Sequence, residues 1–179
     1  LKHRKVTNTL EQPISHTALG DKKLDIYPGK YSVFPEEREY FLDIYSNWIF
    51  KYDEPEPLHL TEAHHPEKCP VLIDLDFRYK NTGSEERIYS ESHIKIFIEI
   101  YFKVLEKYLD IPDENKETFI MEKSSPVIDT KNDKIMKDGV HIIMPRIVSN
   151  YKVLHMVRQD IIKDKEVKKL FKDLGITNP

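Results

Sequence analysis

The sequence predicts an α+β fold in which helices cover one face of a sheet. Three observations predict it. The stretch CPVLIDLDFRY, from Cys69 to Tyr79, is apolar and β-prone apart from its two aspartates. From His93 to Leu109, apolar residues recur at helical spacing. Val140, Ile142 and Met144 alternate with Gly139, His141 and Ile143, the two-residue period of a strand. The resulting order, strand, helix, strand, strand, helix, gives a sheet whose polar side faces away from the helices.

The elements follow in chain order. Residues 1–30 read as irregular, with Pro13, Gly20, Pro28 and Gly29 as breakers. Tyr31 to Phe34 reads as a short strand. Pro35 then opens a helix, with acids at the positive end of its dipole. That helix carries Tyr40, Phe41, Ile44, Tyr45, Trp48 and Ile49 at helical spacing. Residues 52–68 read as a loop with Pro55, Pro57 and Pro66, and the aspartate strand follows. Ser90 or Ser92 is expected to cap the helix that ends near Leu109. Thr118 to Glu122 is a strand, residues 129–134 a hairpin loop, and the histidine strand runs to Pro145, which ends it. Asn150 caps a last helix through Val153, Leu154, Val157, Ile161, Ile162, Leu170 and Phe171.

Chemistry concentrates on two strands. Residues two apart on a strand face the same way, so Asp74 and Asp76 aim two carboxylates in one direction from a rigid platform. Val71, Ile73, Leu75 and Phe77 point the other way, into a core. Paired carboxylates repel, and a hard divalent cation such as Mg²⁺ or Mn²⁺ offsets that repulsion with oxygen ligands. A solvated strand end gives the same short pattern. On the second strand, His141 lies opposite in face to Val140 and Ile142, and Gly139 permits close approach to the backbone. Lys137 shares the His141 side and is a point charge suited to phosphate. A strand with one polar face and an ordinary histidine is the bland alternative. Arg78 falls on the Asp76 side by alternation; Lys30, Lys123 and Arg146 are weaker candidates for phosphate contact, where plain solvation explains as much. His64, His65 and Cys69 fall short of the tetrahedral ligand set of a structural zinc site, and Cys69 reads better as the buried start of a strand. His16 carries no specific signal.

Taken together, the stretches PVLIDLDFR (Pro70 to Arg78) and KDGVHIIMP (Lys137 to Pro145) resemble the archaeo-eukaryotic primase superfamily. The resemblance is to the N-terminal primase domain of primase–helicases of large nucleocytoplasmic DNA viruses. Ser15, His16 and Thr17, followed by Gly29, Lys30 and Tyr31, fit the same pattern. The resemblance implies a primase-type palm, a mixed sheet covered by helices, spanning 69–179. It also implies a helical or irregular N-terminal subdomain over 1–68. It assigns divalent metal to Asp74 and Asp76, and triphosphate contact to His141 and Lys137, with Gly139 in the small-residue slot. The activity implied is template-directed nucleotidyl transfer by a DNA primase, with single-stranded DNA template and nucleoside triphosphates as partners and a helicase in the same polypeptide. The superfamily completes its metal site with a third carboxylate on a later strand. The chain stops at Pro179 before such a strand, since Asp160, Asp164 and Asp173 lie in helical sequence. The domain is therefore expected to be incomplete, and the start at Leu1 fits a piece of a longer protein. Two other readings stay open: a metal-dependent nuclease, and a non-catalytic nucleic-acid-binding or assembly module.

Composition narrows the classes. The chain of 179 residues is 39% hydrophobic and 33% charged, with ten Tyr and eight Phe, too apolar and aromatic for a disordered segment. One Cys rules out an internal disulfide framework and suits a reducing compartment, the host cytoplasm or a viral replication site. No apolar run reaches the roughly 18 residues of a membrane span, and no secretory signal is visible. The net charge of −3 is unlike a duplex-coating protein, so nucleic acid would have to meet local patches. Lys2 to Lys5 and the lysines 163, 165, 168, 169 and 172 are the candidates, each equally readable as a solvated surface.

Overall fold

A computed structural model describes residues 14–20, 28–51, 60–63, 67–84 and 86–176. The chain divides into two compact units, Leu1–His65 and Pro66–Pro179.

The first unit holds a small antiparallel sheet in the order β2-β1-β3, built from β1 (His16–Ala18), β2 (Gly29–Tyr31) and β3 (Leu60–Glu62). Thr17 is the centre of the sheet, opposite Lys30 on one side and Thr61 on the other. These strands lie in stretches read from sequence as irregular or loop, and the strand expected over Tyr31 to Phe34 lies two residues earlier. Three-residue strands are too short to display a two-residue period. Helix α1 (Arg38–Lys51) follows a 3-10 turn at Pro35–Glu37. It is amphipathic only in part: Phe41, Tyr45, Trp48 and Ile49 are half-buried, whereas Tyr40 and Ile44 are exposed.

The second unit carries the main core. Its sheet runs β4-β7-β5, with β6 also paired to β7. The strands are β4 (Cys69–Lys80), β5 (Phe119–Glu122), β6 (Val127–Asp129) and β7 (Asn132–Ser149). The expected mixed sheet is corrected here: every pairing among the described residues is antiparallel. β7 enters between β4 and β5, which run the same way without being neighbours. β7 also continues past Pro145, the expected stop. The register steps from Val71↔Met144 to Pro70↔Val148, so residues 145–147 form a bulge. Pro145 sits where the ladder requires no donor from it.

Helix α2 (Glu91–Leu105) starts at Ser90, whose backbone N–H donates to His93 Nδ1 at 3.0 Å. Asn150 caps α3 (Tyr151–Lys163) by accepting from the Lys152 N–H at 2.9 Å. The single last helix expected from sequence is two helices. Asp164 leaves the helical region and caps α4 (Lys165–Asp173), accepting from the N–H groups of Glu166 and Val167 at 2.8 and 3.1 Å. Gly175, at φ +71°, closes α4, and Ile176 N–H reaches back to the Phe171 carbonyl at 3.2 Å.

The three helices bury one face of the sheet. Val71, Phe77, Val140, Ile142 and Met144 from the strands meet Ile94, Phe97, Tyr101, Val157, Ile161 and Phe171. The Phe171 ring lies 5.5 Å from Phe77 and 5.6 Å from Phe97, joining β4, α2 and α4 at one aromatic contact. No helix among the described residues is long and apolar enough to cross a membrane.

Candidate functional site on the open face of the sheet

The β4–β7 register builds the site. Asp74 pairs with His141, Asp76 with Gly139, and Arg78 with Lys137. Alternation puts all six on one face, opposite the helix-covered core, as three successive cross-strand rungs. This is the face left open by α2, α3 and α4. The Asp74 and His141 side chains are 68% and 57% exposed, with Oδ1 and Nε2 3.6 Å apart, an ion pair when the ring is protonated. Arg78 donates to Asp76 at 2.9 Å, so a guanidinium meets the carboxylate repulsion that the sequence poses. Lys137 Nζ lies 3.1 Å from Asp129 Oδ1.

Asp129 was missed in the sequence, where it read as hairpin loop. It ends β6 on the same face as Lys137, and its carboxyl is held below the usual carboxylate range. The Lys131 backbone N–H contributes most to that; Lys137 and Arg78 add to it, against the opposing effect of burial. Gly139 also has a definite role in the ladder. A Cβ there would lie 2.7 Å from the Leu75 carbonyl oxygen, so the closely approaching group is β4 itself.

Beneath the face lies a polar pair that the sequence reading overlooked. Asp138 is fully buried on the core side of β7, between Met136 and Val140. Its Oδ1 accepts from the Gly139 N–H at 2.8 Å and from Arg87 at 3.3 Å. Arg87 also donates to the Tyr89 hydroxyl and to the Lys123 carbonyl. Burial, with Asp138 and Glu122 nearby, pushes the Tyr89 hydroxyl up to about 12. A charged residue at a core-facing position of an alternating strand was the signal, because a buried carboxylate calls for a partner.

The other sequence candidates lie apart. Arg146 is bound to Glu117 at 3.1 Å and to the Glu114 carbonyl at 3.2 Å, beside the bulge. Lys123 is exposed beyond the end of β5, and Lys30 is exposed on β2 of the first unit. His16 hydrogen-bonds Ser15 at 2.9 Å and packs on Phe41. Cys69 is a buried strand start, its thiol donating to the Ser149 carbonyl at 3.4 Å. His64, His65 and Lys2 to Lys5 lie outside the described residues. Among the described residues, no group of three or more His, Cys, Asp or Glu side chains is arranged to hold a metal. Asp74 and Asp76 supply two hard oxygen donors facing solvent, which fits a divalent cation that takes its remaining ligands from water and phosphate.

A helix-backed sheet with paired aspartates opposite a glycine-x-histidine strand is the primase-type α+β arrangement. The chain belongs to the archaeo-eukaryotic primase (AEP) family: the family described as C962R protein N-terminal AEP domain matches residues 21–179. A relative from Acanthamoeba polyphaga mimivirus, named "Putative helicase L207/L206", is 32% identical over 167 residues. The match covers 93% of this chain and 16% of that protein, so the chain spans about a sixth of the relative's length.

Proposed function

We propose that the open face carries out template-directed nucleotidyl transfer, as the primase or primase-polymerase part of a viral DNA replication protein. The observation that carries this reading is the three-rung array, carboxylate with imidazole, carboxylate with glycine, and guanidinium with ammonium, on one rigid face. Asp74 and Asp76 are the residues to hold Mg²⁺ or Mn²⁺. When bound, that cation supplies charge stabilisation for the attacking and leaving oxygens of an in-line displacement. The chain's own cations do the rest. His141 and Lys137 bind the triphosphate by charge-assisted hydrogen bonds, and Arg78 exchanges its contact with Asp76 for a phosphate oxygen. Gly139 keeps the centre of the face free of side-chain bulk. The template is single-stranded DNA, and the helicase of the named relative supports a helicase in the same polypeptide. Such a protein works in the host cytoplasm or at a viral replication site.

Two carboxylates plus substrate phosphates suffice to seat Mg²⁺. Metal and triphosphate should therefore bind cooperatively. Calorimetric titration of Mn²⁺ and a nucleoside triphosphate, alone and together, tests this on the wild-type chain and on Asp74→Ala/Asp76→Ala. Metal-dependent triphosphate binding that disappears in the double variant is the expected result. Triphosphate binding that is indifferent to metal and to both aspartates would sink the catalytic reading. The absence of a three-ligand group among the described residues favours a second reading, a non-catalytic module that binds nucleic acid. It expects oligonucleotide binding that survives the double substitution.

A further inference from the structure

The three charged rungs continue into an apolar one. One step beyond Asp74 and His141, Leu72 pairs with Ile143, which pairs on its other side with Phe119 of β5. Met121 pairs with His141 and so flanks the same row. Leu72, Phe119 and Met121 are 44%, 51% and 47% exposed, although strand residues of this type usually meet a covering layer. Phe119 brings an aromatic ring to an open sheet face, which is how single-stranded nucleobases are commonly received.

We infer that the Leu72–Ile143–Phe119 row is a nucleobase platform, continuous with the phosphate-binding rungs. This deepens the reading above and rests on it for the position of the phosphates. The face is polar and cationic at Lys137 and Arg78, carboxylate-bearing in the middle, and apolar with one aromatic at the far end. From the Lys137 rung to the Ile143 rung is six residues of strand, about 20 Å at the usual rise. A ligand that matches this order has a polyanion at one end and a flat, weakly polar ring at the other. A nucleotide fits that description; a peptide or a lipid surface has no reason to alternate in that way. The platform offers ring faces and methyl groups without a fixed hydrogen-bond donor or acceptor from Leu72, Ile143 or Phe119. It therefore holds any base and leaves base choice to a template.

The same chemistry arises from the base of the triphosphate or from an unpaired base of a strand, and the test separates them. The intact chain is titrated with a nucleoside triphosphate, with inorganic triphosphate, and with a short oligothymidylate, all in Mn²⁺ buffer. Wild type, Phe119→Ala and Phe119→Trp are compared. Phe119 is an exposed edge residue, and circular dichroism confirms that each variant is folded. Loss of one stacking partner is expected to weaken nucleoside triphosphate binding about tenfold. Inorganic triphosphate should bind unchanged, and Trp should restore the affinity. A loss confined to the oligothymidylate supports the platform and identifies the strand as the source of the base. Retention of both base-bearing ligands within about twofold in Phe119→Ala overturns the platform, as does an equal loss for inorganic triphosphate. If wild type binds no inorganic triphosphate, the phosphate reading fails first, and the oligothymidylate arm alone decides the row.

Discussion

At the scale of single residues, the open face is held in place by a group that never reaches it. Asp138 is fully buried, and its ion-pair partner Arg87 is 20% exposed at the side chain. The same carboxylate accepts from the Gly139 N–H, so it ties the middle rung to the loop before α2. Its other oxygen, Oδ2, and the Tyr79 hydroxyl have no hydrogen-bond partner. Such a pair contributes little net stability while intact, but breaking it strands a charge in low dielectric. Arg87→Ala should therefore cost about 3–5 kcal/mol in chemical denaturation. The double change Arg87→Met/Asp138→Leu should recover most of that loss, because it removes both charges and keeps the volume. If the double variant is no more stable than Arg87→Ala, the penalty comes from lost packing of the arginine stem instead. Asp74, Asp76 and His141 were visible in the sequence because strand alternation and residue type both pointed at them. Asp138 was as plainly placed by alternation, on the core side, but its partner Arg87 is far along the chain, and no local pattern connects the two.

At the scale of elements, legibility followed length. The β4 strand, the long α2 helix and the β7 alternation were readable because each shows several repeats of its own period. β1 and β3 show too few residues to register, and the break between α3 and α4 hid inside one continuous apolar pattern. The break was nevertheless signalled by an aspartate, a residue that caps helices more readily than it continues them. The Pro145 misreading has the opposite lesson: proline stops a strand only where a ladder bond is needed, and the bulge at residues 145–147 removes that need. The register of β4 on β7 fixes the whole site, and Gly139 is where that register is tightest. In most strands, replacing Gly with Ala is mildly favourable. Here the added methyl would meet a backbone oxygen at 2.7 Å, which cannot swing aside. Gly139→Ala should lower stability by about 1–3 kcal/mol, the usual range for overpacking. It should also shift the amide resonances of Leu75 and Asp76 in a two-dimensional NMR spectrum. An unchanged spectrum with unchanged stability would mean that β4 and β7 separate at no cost.

At the scale of the whole molecule, apolar burial is unequally shared. The main core cluster, from Val71 to Ile176, lies entirely within Pro66–Pro179. The described part of Leu1–His65 contributes only Ala18 and Tyr31 as buried hydrophobic side chains. Apolar area removed from water is the main favourable term in folding, so the second unit should be able to fold without the first. The open face belongs wholly to that second unit. A fragment spanning residues 66–179 is expected to unfold cooperatively, with a thermal midpoint within a few degrees of the main transition of the full chain. It should keep the metal-dependent triphosphate binding proposed for Asp74, Asp76, His141 and Lys137. A fragment that folds but no longer binds would place part of the ligand site in the first unit, where Lys30 and His16 are the residues to substitute next. A fragment without a cooperative transition would show that the small β2-β1-β3 sheet and α1 provide stability that their sparse described burial does not account for.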